Sequence, residues 1–283
     1  MKKIESTDKF HQDNAAAWDV TAAIYERDEQ TDVEFLRRGG SSLMPQEQAS
    51  LGDLSGWCQR AIHLECAGGT ETLSLLRQGA QAVIGIDISP RMIACARRKA
   101  AALAALGSQA SWYCCDVLAA PPELDATADL VHTGRGALNW MMDLDAWARV
   151  VFRLLKPGGK LHIFEGHPLD WVWDVNAAAF QLDAGRGDYF AQSTYAGEIW
   201  PKPFIDRQVE VDPATLNLHD HPWTLGQILN SVIRAGLRIE YFNEYPQTFW
   251  DQFPDIPPET LRRLPHTFTL LATKDKSGTT DKS

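Results

Sequence analysis

The sequence predicts a doubly wound α/β domain: a mostly parallel sheet with helices on both faces. Three observations carry this. Between residues 61 and 165, short apolar runs of strand length alternate with segments of helical spacing. The first run ends in Ala67, Gly68 and Gly69, and the second ends in a carboxylate, Asp87. After residue 224, one helical stretch leads into two long strand-like segments. Repeated strand–helix–strand units require parallel pairing, because the crossover returns each strand to the same direction.

Residues 61–66 (AIHLEC) form the first strand, and residues 70–78 a helix closed by Gly79. Residues 82–87 (AVIGID) form the second strand. Ser89 and Pro90 then read as an N-cap and the proline of a first helical turn. The Ala-rich helix runs over 91–106, with Gly107 as its stop. Residues 111–115 (SWYCC) and 129–133 (DLVHT) are the third and fourth strands. Apolar residues at 144, 147, 150, 151, 154 and 155 have helical spacing. Lys156 to Gly159 break that helix before the fifth strand, 160–165 (KLHIFE). Residues 224–235 are a helix closed by Gly236, and 237–245 and 266–274 a closing antiparallel pair.

Between them, residues 166–223 lose the pattern and are rich in aromatics, including Trp171, Trp173, Phe180, Tyr195, Trp200 and Phe204. The stretch is too long for a plain crossover. It reads as a lid over the site, with short antiparallel strands around 195–199 and 208–211. The chain thus divides into an N-terminal cap (1–58), a core (59–165 and 224–274), the lid (166–223) and a tail (275–283).

Composition narrows the function. A formal net charge of −10 repels nucleic-acid phosphates. Arg97, Arg98 and Lys99 are a short basic cluster that reads as a solvated helix face. The polar start of the chain lacks an apolar signal region, and no 18-residue apolar window exists. The expectation is a cytoplasmic protein with no membrane or nucleic-acid partner. The five cysteines are odd in number and irregularly spaced, which suits reduced thiols better than a zinc site. His219 and His221 lack further ligands in the pattern, so no metal is expected.

In open α/β sheets, ligands bind at the carboxyl ends of the strands. That rule brings together Cys66 to Gly69, Asp87, Asp116 and Thr133 to Gly136. Small residues at Ala67 and Gly69 let a ligand approach the backbone, and the following helix offers free N–H groups. A strand-to-helix turn also needs glycine with no ligand present. Asp87 suits two ribose hydroxyls, or it caps the next helix. Asp116 suits an adenine amino group, or it is a turn residue. His167, after the fifth strand, is a general-base candidate or a structural histidine. Asn139 either accepts a hydrogen bond from an amine nucleophile or caps a helix. The lid tryptophans build a small core or a cage for a cation.

The order AIHLECAGG, AVIGID, YCCDV, DLVHTGRGALNW and LLKPGGKLHIFEGHP resembles the class I S-adenosylmethionine-dependent methyltransferases. The resemblance spans about residues 10 to 273 and implies a seven-stranded sheet with an antiparallel final strand. It implies S-adenosylmethionine bound by Tyr25, Ser42, Glu65, Cys66, Ala67, Gly69, Asp87, Ile88, Asp116, Val117, Thr133 and Gly134. The sequence departs from the family's glycine loop: His63, Glu65 and Ala67 stand where an acid and two glycines are usual. This is similar to a bacterial subgroup with H-L-x-C at that place. The leading segment, with Asn14, Trp18, Tyr25, Ser41 and Ser42, would close over the cofactor's methionine end.

The resemblance implies methyl transfer to nitrogen or oxygen of a small molecule. A second reaction is implied by members that cyclise S-adenosylmethionine itself to azetidine-2-carboxylate. The altered loop also leaves open a protein that binds the cofactor without turnover.

Overall fold

The computed structural model describes residues 2–191, 195–196 and 217–276, with side chains for 7–191 and 217–276. The chain opens with three helices, α1 (Lys2–Arg27), α2 (Glu29–Arg37) and α3 (Pro45–Leu51). The core then alternates as expected: β1 (Ala61–Leu64), α4 (Thr70–Arg77), β2 (Val83–Asp87), α5 (Pro90–Ala102) and β3 (Ala110–Cys114). It continues through β4 (Ala128–Gly134), α6 (Leu144–Leu154) and β5 (Leu155–Gly166). Two short strands, β6 (Tyr195–Ala196) and β7 (His219–Asp220), lie in the expected lid. The chain closes with α7 (Leu225–Arg234), β8 (Leu237–Tyr245), α8 (Pro258–Leu261) and β9 (Thr267–Lys274).

The seven long strands form one sheet in the order β3-β2-β1-β4-β5-β9-β8. All neighbours pair in parallel except β9, which runs antiparallel to both β5 and β8. The strand order reverses between β1 and β4, which opens a crevice at their carboxyl ends.

Both faces of the sheet are covered, so the inner strands read as continuous apolar runs. One core cluster joins Ile62, Leu64, Val131, Trp147, Val151, Ile163 and Phe268 under α6 and α7. The other joins Leu36, Leu54, Leu73, Leu75, Val83 and Leu130 under α2 and α4.

Several expected details shift. The α5 helix stops at Ala102, and Gly107 packs so closely that a Cβ there would lie 1.8 Å from the Ala100 carbonyl oxygen. Lys156 to Gly159 do not precede the fifth strand but lie inside β5. There the pairing with β4 slips between Ala128 and Leu130, and Gly158 takes φ +84°. Lys99 leaves the solvated face expected for it. It is fully buried, with Nζ 2.6 Å from Asp32, while Arg97 and Arg98 stay exposed. In the lid, β6 pairs with β7, and residues 208–211, Trp200 and Phe204 lie outside the described residues. Among the described residues no helix is long and apolar enough to cross a membrane.

A row of histidines crosses the sheet: His63 (β1), His132 (β4) and His162 (β5) stand in register and are at most 1% exposed. His63 Nδ1 meets Thr72, His132 Nδ1 lies 3.1 Å from His162 Nδ1, and His162 Nε2 lies 2.6 Å from the Ser50 hydroxyl. Burial drives His63 and His162 well below the ordinary histidine range, so both are neutral.

Candidate functional site

The turn after β1 keeps the backbone of a glycine loop with only one of its glycines. Glu65 (φ +56°), Ala67 (φ +45°) and Gly69 (φ +78°) all adopt the left-handed region. That region disfavours side chains, and such strain concentrates at functional sites. Gly69 has no alternative. A Cβ there would meet the Ala96 Cβ and the Trp112 ring at 2.6 Å. The turn therefore presses against α5 and lines a cavity of about 440 Å³ at the carboxyl ends of the strands. This size suits a small-molecule site.

Asp87 ends β2 at the cavity's edge. Its Oδ2 accepts the Ala67 N–H at 2.8 Å and its Oδ1 the Ser89 N–H at 2.9 Å. The helix cap is Ser89, whose hydroxyl accepts from Met92. Asp87 thus ties the β1 turn to the β2 turn and keeps spare lone pairs. Burial pushes its carboxyl up to about 6. Ile88 and Val117 line the same end of the cavity.

Asp116 also lines the cavity and does two structural jobs. It accepts from Leu118 N–H at 2.8 Å and from His11 Nδ1 at 2.5 Å. Because His11 Nε2 accepts from Met142 N–H, the Nδ1 nitrogen carries the proton donated to Asp116.

The opposite wall comes from the loop after β4 and from the N-terminal segment. Gly134 is required by close strand approach: a Cβ would lie 2.6 Å from the Phe164 carbonyl oxygen. The Glu165 carboxylate accepts three N–H groups of this loop, from Gly136 at 2.5 Å, Ala137 at 2.8 Å and Leu138 at 3.0 Å. That grip places Asn139 and Trp140 at the cavity. Burial pushes Glu165 up to about 7. Replacing Glu165 with Ala leaves the three N–H groups without their acceptor beside a solvated cavity. The expected cost is about 2 kcal/mol in denaturant unfolding, with a looser Asn139 loop.

Arg135 (φ +58°) reaches Glu71 at 3.0 Å and Glu47 at 3.6 Å, and donates to the Ser42 carbonyl. Ser42 lines the cavity and bonds Ser74, while the Ser41 hydroxyl turns to Leu43 N–H. Tyr25 lies over Gly68, where a Cβ would meet its ring at 3.0 Å. Asn14 pairs its side-chain amide with both backbone groups of His219, which fastens α1 to β7.

Of the residues expected at the site, Tyr25, Ser42, Glu65, Cys66, Ala67, Gly69, Asp87, Ile88, Asp116, Val117, Gly134 and Asn139 line this one cavity. Two do not. Thr133 is fully buried, because β4 runs on through Gly134 and turns the Thr133 side chain into the covered sheet. His167 sits outside the cavity as the cap of a 3-10 turn. Leu169 N–H donates to its Nδ1, and Nε2 donates to Glu244 at 2.9 Å. With both nitrogens engaged, His167 is corrected from a base to a structural residue.

The aromatic wall also differs from the expected set. Trp171 lines the cavity, joined by Trp18, Trp140, Phe249 and Trp250. Trp18 meets Trp140 edge-on at 5.3 Å. Trp173 packs instead against Phe180, and the Tyr195 side chain lies outside those described. Phe249 and Trp250 come from the segment between the closing strands. Their adjacency at the end of a predicted strand was the only available signal. His219 bonds Asp13 at 3.0 Å, and no group of three metal-ligating side chains occurs among the described residues.

The sheet order and the crevice at its reversal point define the class I methyltransferase fold. Residues 62–159 match the family described as a methyltransferase domain. Among solved structures, a protein assigned as an S-adenosylmethionine-dependent methyltransferase from Listeria monocytogenes is similar with TM-score 0.59 and 19% identity. That match covers 81% of this chain and 97% of the other. A second such methyltransferase, from Mesorhizobium loti, gives TM-score 0.57 and 23% identity over 81% and 96%. The cyclase SpnF gives TM-score 0.54 and 18% identity over 88% and 94%. Comparison with curated proteins returns no significant match.

Proposed function

We propose that this protein is an S-adenosylmethionine-dependent enzyme that transfers the methyl group to nitrogen or oxygen of a small molecule. The observation that carries this is Asp87, set at the carboxyl end of β2 and tied to a left-handed β1 turn. Its free lone pairs suit the two ribose hydroxyls. Ile88 and Val117 offer apolar contact to the adenine, and Asp116 faces its amino group. Ser42, Tyr25 and Arg135 are the groups for the methionine end.

The electrostatics agree with a cationic ligand. Asp28, Asp32, Glu65, Glu71, Asp87, Asp116 and Asp220 all line the cavity, where Arg135 pairs with Glu71. Trp18, Trp140 and Trp171 present aromatic faces that favour a sulfonium. The bound donor supplies an electrophilic methyl carbon, and the protein supplies orientation and exclusion of water. Asn139 accepts a hydrogen bond from the acceptor's nucleophile. Asp220, pushed up to about 6 by burial and bonded to Arg186 at 3.2 Å, takes the place of His167 as the group for its proton. The net charge of −10 favours a small acceptor over nucleic acid.

A second reading, cyclisation of S-adenosylmethionine by its own amino group, is favoured by one observation. Oε2 of Glu65 is buried in the cavity wall without a hydrogen-bond partner. Incubation with S-adenosylmethionine alone separates the two readings by mass spectrometry. Intact S-adenosylmethionine is the result expected for methyl transfer. Methylthioadenosine with a four-membered-ring amino acid, above the enzyme-free control, would replace it with cyclisation.

A further inference from the structure

A buried pair of titratable side chains lies behind the aromatic wall of the cavity. Asp170 sits in the 3-10 turn after β5, and His266 immediately precedes β9. Both are buried. Asp170 Oδ1 lies 2.7 Å from His266 Nδ1, and Asp170 Oδ2 accepts from Gln252 Nε2 at 2.5 Å. His266 Nε2 lies 2.9 Å from the carbonyl oxygen of Leu261 in α8.

These contacts fix the protons on the ring. A carbonyl oxygen can only accept, so Nε2 carries a hydrogen. Burial pushes the Asp170 carboxyl up to about 6, which leaves it ionised at neutral pH. An ionised carboxylate also can only accept, so Nδ1 carries a hydrogen too. With both nitrogens donating, His266 is an imidazolium. Burial lowers it, but the bond and charge of Asp170, with the Leu261 carbonyl, outweigh burial and hold it above the ordinary histidine range. The buried His63 and His162 go the opposite way. Among the described residues, the other titratable group facing the ring is His167, whose Nε2 donates to Glu244. The remaining ring neighbours, Phe180 and Phe253, are apolar.

The pair joins two parts of the cavity wall that are far apart in the chain. Trp171 directly follows Asp170, and Phe249 and Trp250 lead into Gln252 between β8 and β9. Phe249 lies over Gly166 at the end of β5, where a Cβ would meet its ring at 3.5 Å. Trp250 lies over Gly136 in the loop after β4, where a Cβ would meet its ring at 3.8 Å. All three aromatics line the cavity. Asp170 thus ties the Trp171 turn to the segment that carries Phe249 and Trp250, and His266 ties the same segment at α8.

We propose that Asp170 and His266 are positioning residues: their imidazolium–carboxylate pair holds the Phe249–Trp250 segment against Trp171 and so shapes the acceptor side of the cavity. The contacts stand without a ligand, and their bearing on an acceptor rests on the methyl-transfer reading. Loss of one ring proton leaves a single N–H for two acceptors, so either the Asp170 or the Leu261 contact is lost. His266 is raised, so the stability it contributes is complete below its ordinary value of 6.5 and is lost as pH rises through the folded value. This part of the wall therefore loosens in alkali.

Asp170→Asn tests this. Its amide N–H can donate to Nδ1 while its oxygen accepts from Gln252, so a neutral ring keeps all three contacts. Nitrogen-15 NMR of histidine-labelled wild type is expected to show His266 with two N–H groups at pH 6 and a midpoint above its ordinary value of 6.5. In Asp170→Asn the ring carries one N–H throughout. Amide exchange of residues 246–256, corrected for its intrinsic pH dependence, is expected to rise about tenfold between pH 6 and pH 9 in the wild type. It stays level in Asp170→Asn. A wild-type His266 with one N–H at pH 6, or equal exchange in the two proteins at every pH, overturns the proposal. S-adenosylhomocysteine binding is read separately by calorimetry at pH 7. Its failure to bind the folded wild type overturns the reading of the cavity and not the pair.

Discussion

Asp87→Ala is expected to weaken S-adenosylhomocysteine binding by about 100-fold, since two hydrogen bonds to a charged acceptor are lost at once. The variant also frees the Ala67 and Ser89 N–H groups, so the β1 and β2 turns lose the clamp that sets their spacing. Calorimetry reads the first effect and thermal unfolding the second. Asp87→Asn separates charge from shape. It retains one oxygen acceptor and does not ionise, so its affinity lacks the rise that ionisation of Asp87 gives the wild type. Wild-type affinity rises as pH climbs through about 6, where the Asp87 carboxyl ionises. Stability moves the other way. Folding raises this carboxyl, so the stability it contributes is present below its ordinary value of 3.8 and is lost as pH rises toward 6.

Glu47→Ala is expected to destabilise the fold by about 3–5 kcal/mol, the cost of breaking a buried ionic contact by removing one partner. Glu47 is 0% exposed and lies 3.0 Å from His132 Nε2 and 3.6 Å from Arg135. Burial raises the Glu47 carboxyl, but His132 and Arg135 outweigh it and hold the group below the ordinary range. A depressed carboxyl contributes stability above its unfolded value and loses it as pH falls through the folded value. The gap between wild type and Glu47→Gln in denaturant unfolding therefore closes in acid and is widest at neutral pH. Arg135 links this buried group to the cavity, so Glu47→Ala also loosens the Ser42 wall.

The central sheet was legible because its strands are buried on both faces. Segments such as AVIGID leave no other placement for four apolar residues and a terminal acid. The site residues at strand ends followed from the same topology. The altered glycine loop was harder to interpret. Sequence shows that Glu65 and Ala67 stand in glycine positions, but not that both still adopt left-handed backbone. That geometry keeps the left-handed backbone although two glycines of the loop are replaced.

His167 was misjudged because position after a strand does not fix where a ring turns, and Glu244 lies 77 residues away in sequence. Lys99 reads as surface until α2 brings Asp32 beside it. Glu165 was read only as the end of a strand. Its role depends on three backbone N–H groups of a loop nearly 30 residues earlier, which no local pattern reveals.

The most direct test of the central claim is a crystal structure of the protein with S-adenosylhomocysteine. The account predicts the ribose hydroxyls on Asp87, the adenine between Ile88 and Val117, and the methionine end toward Ser42, Tyr25 and Arg135. Nucleoside density elsewhere, or none in crystals grown with saturating ligand, would contradict it.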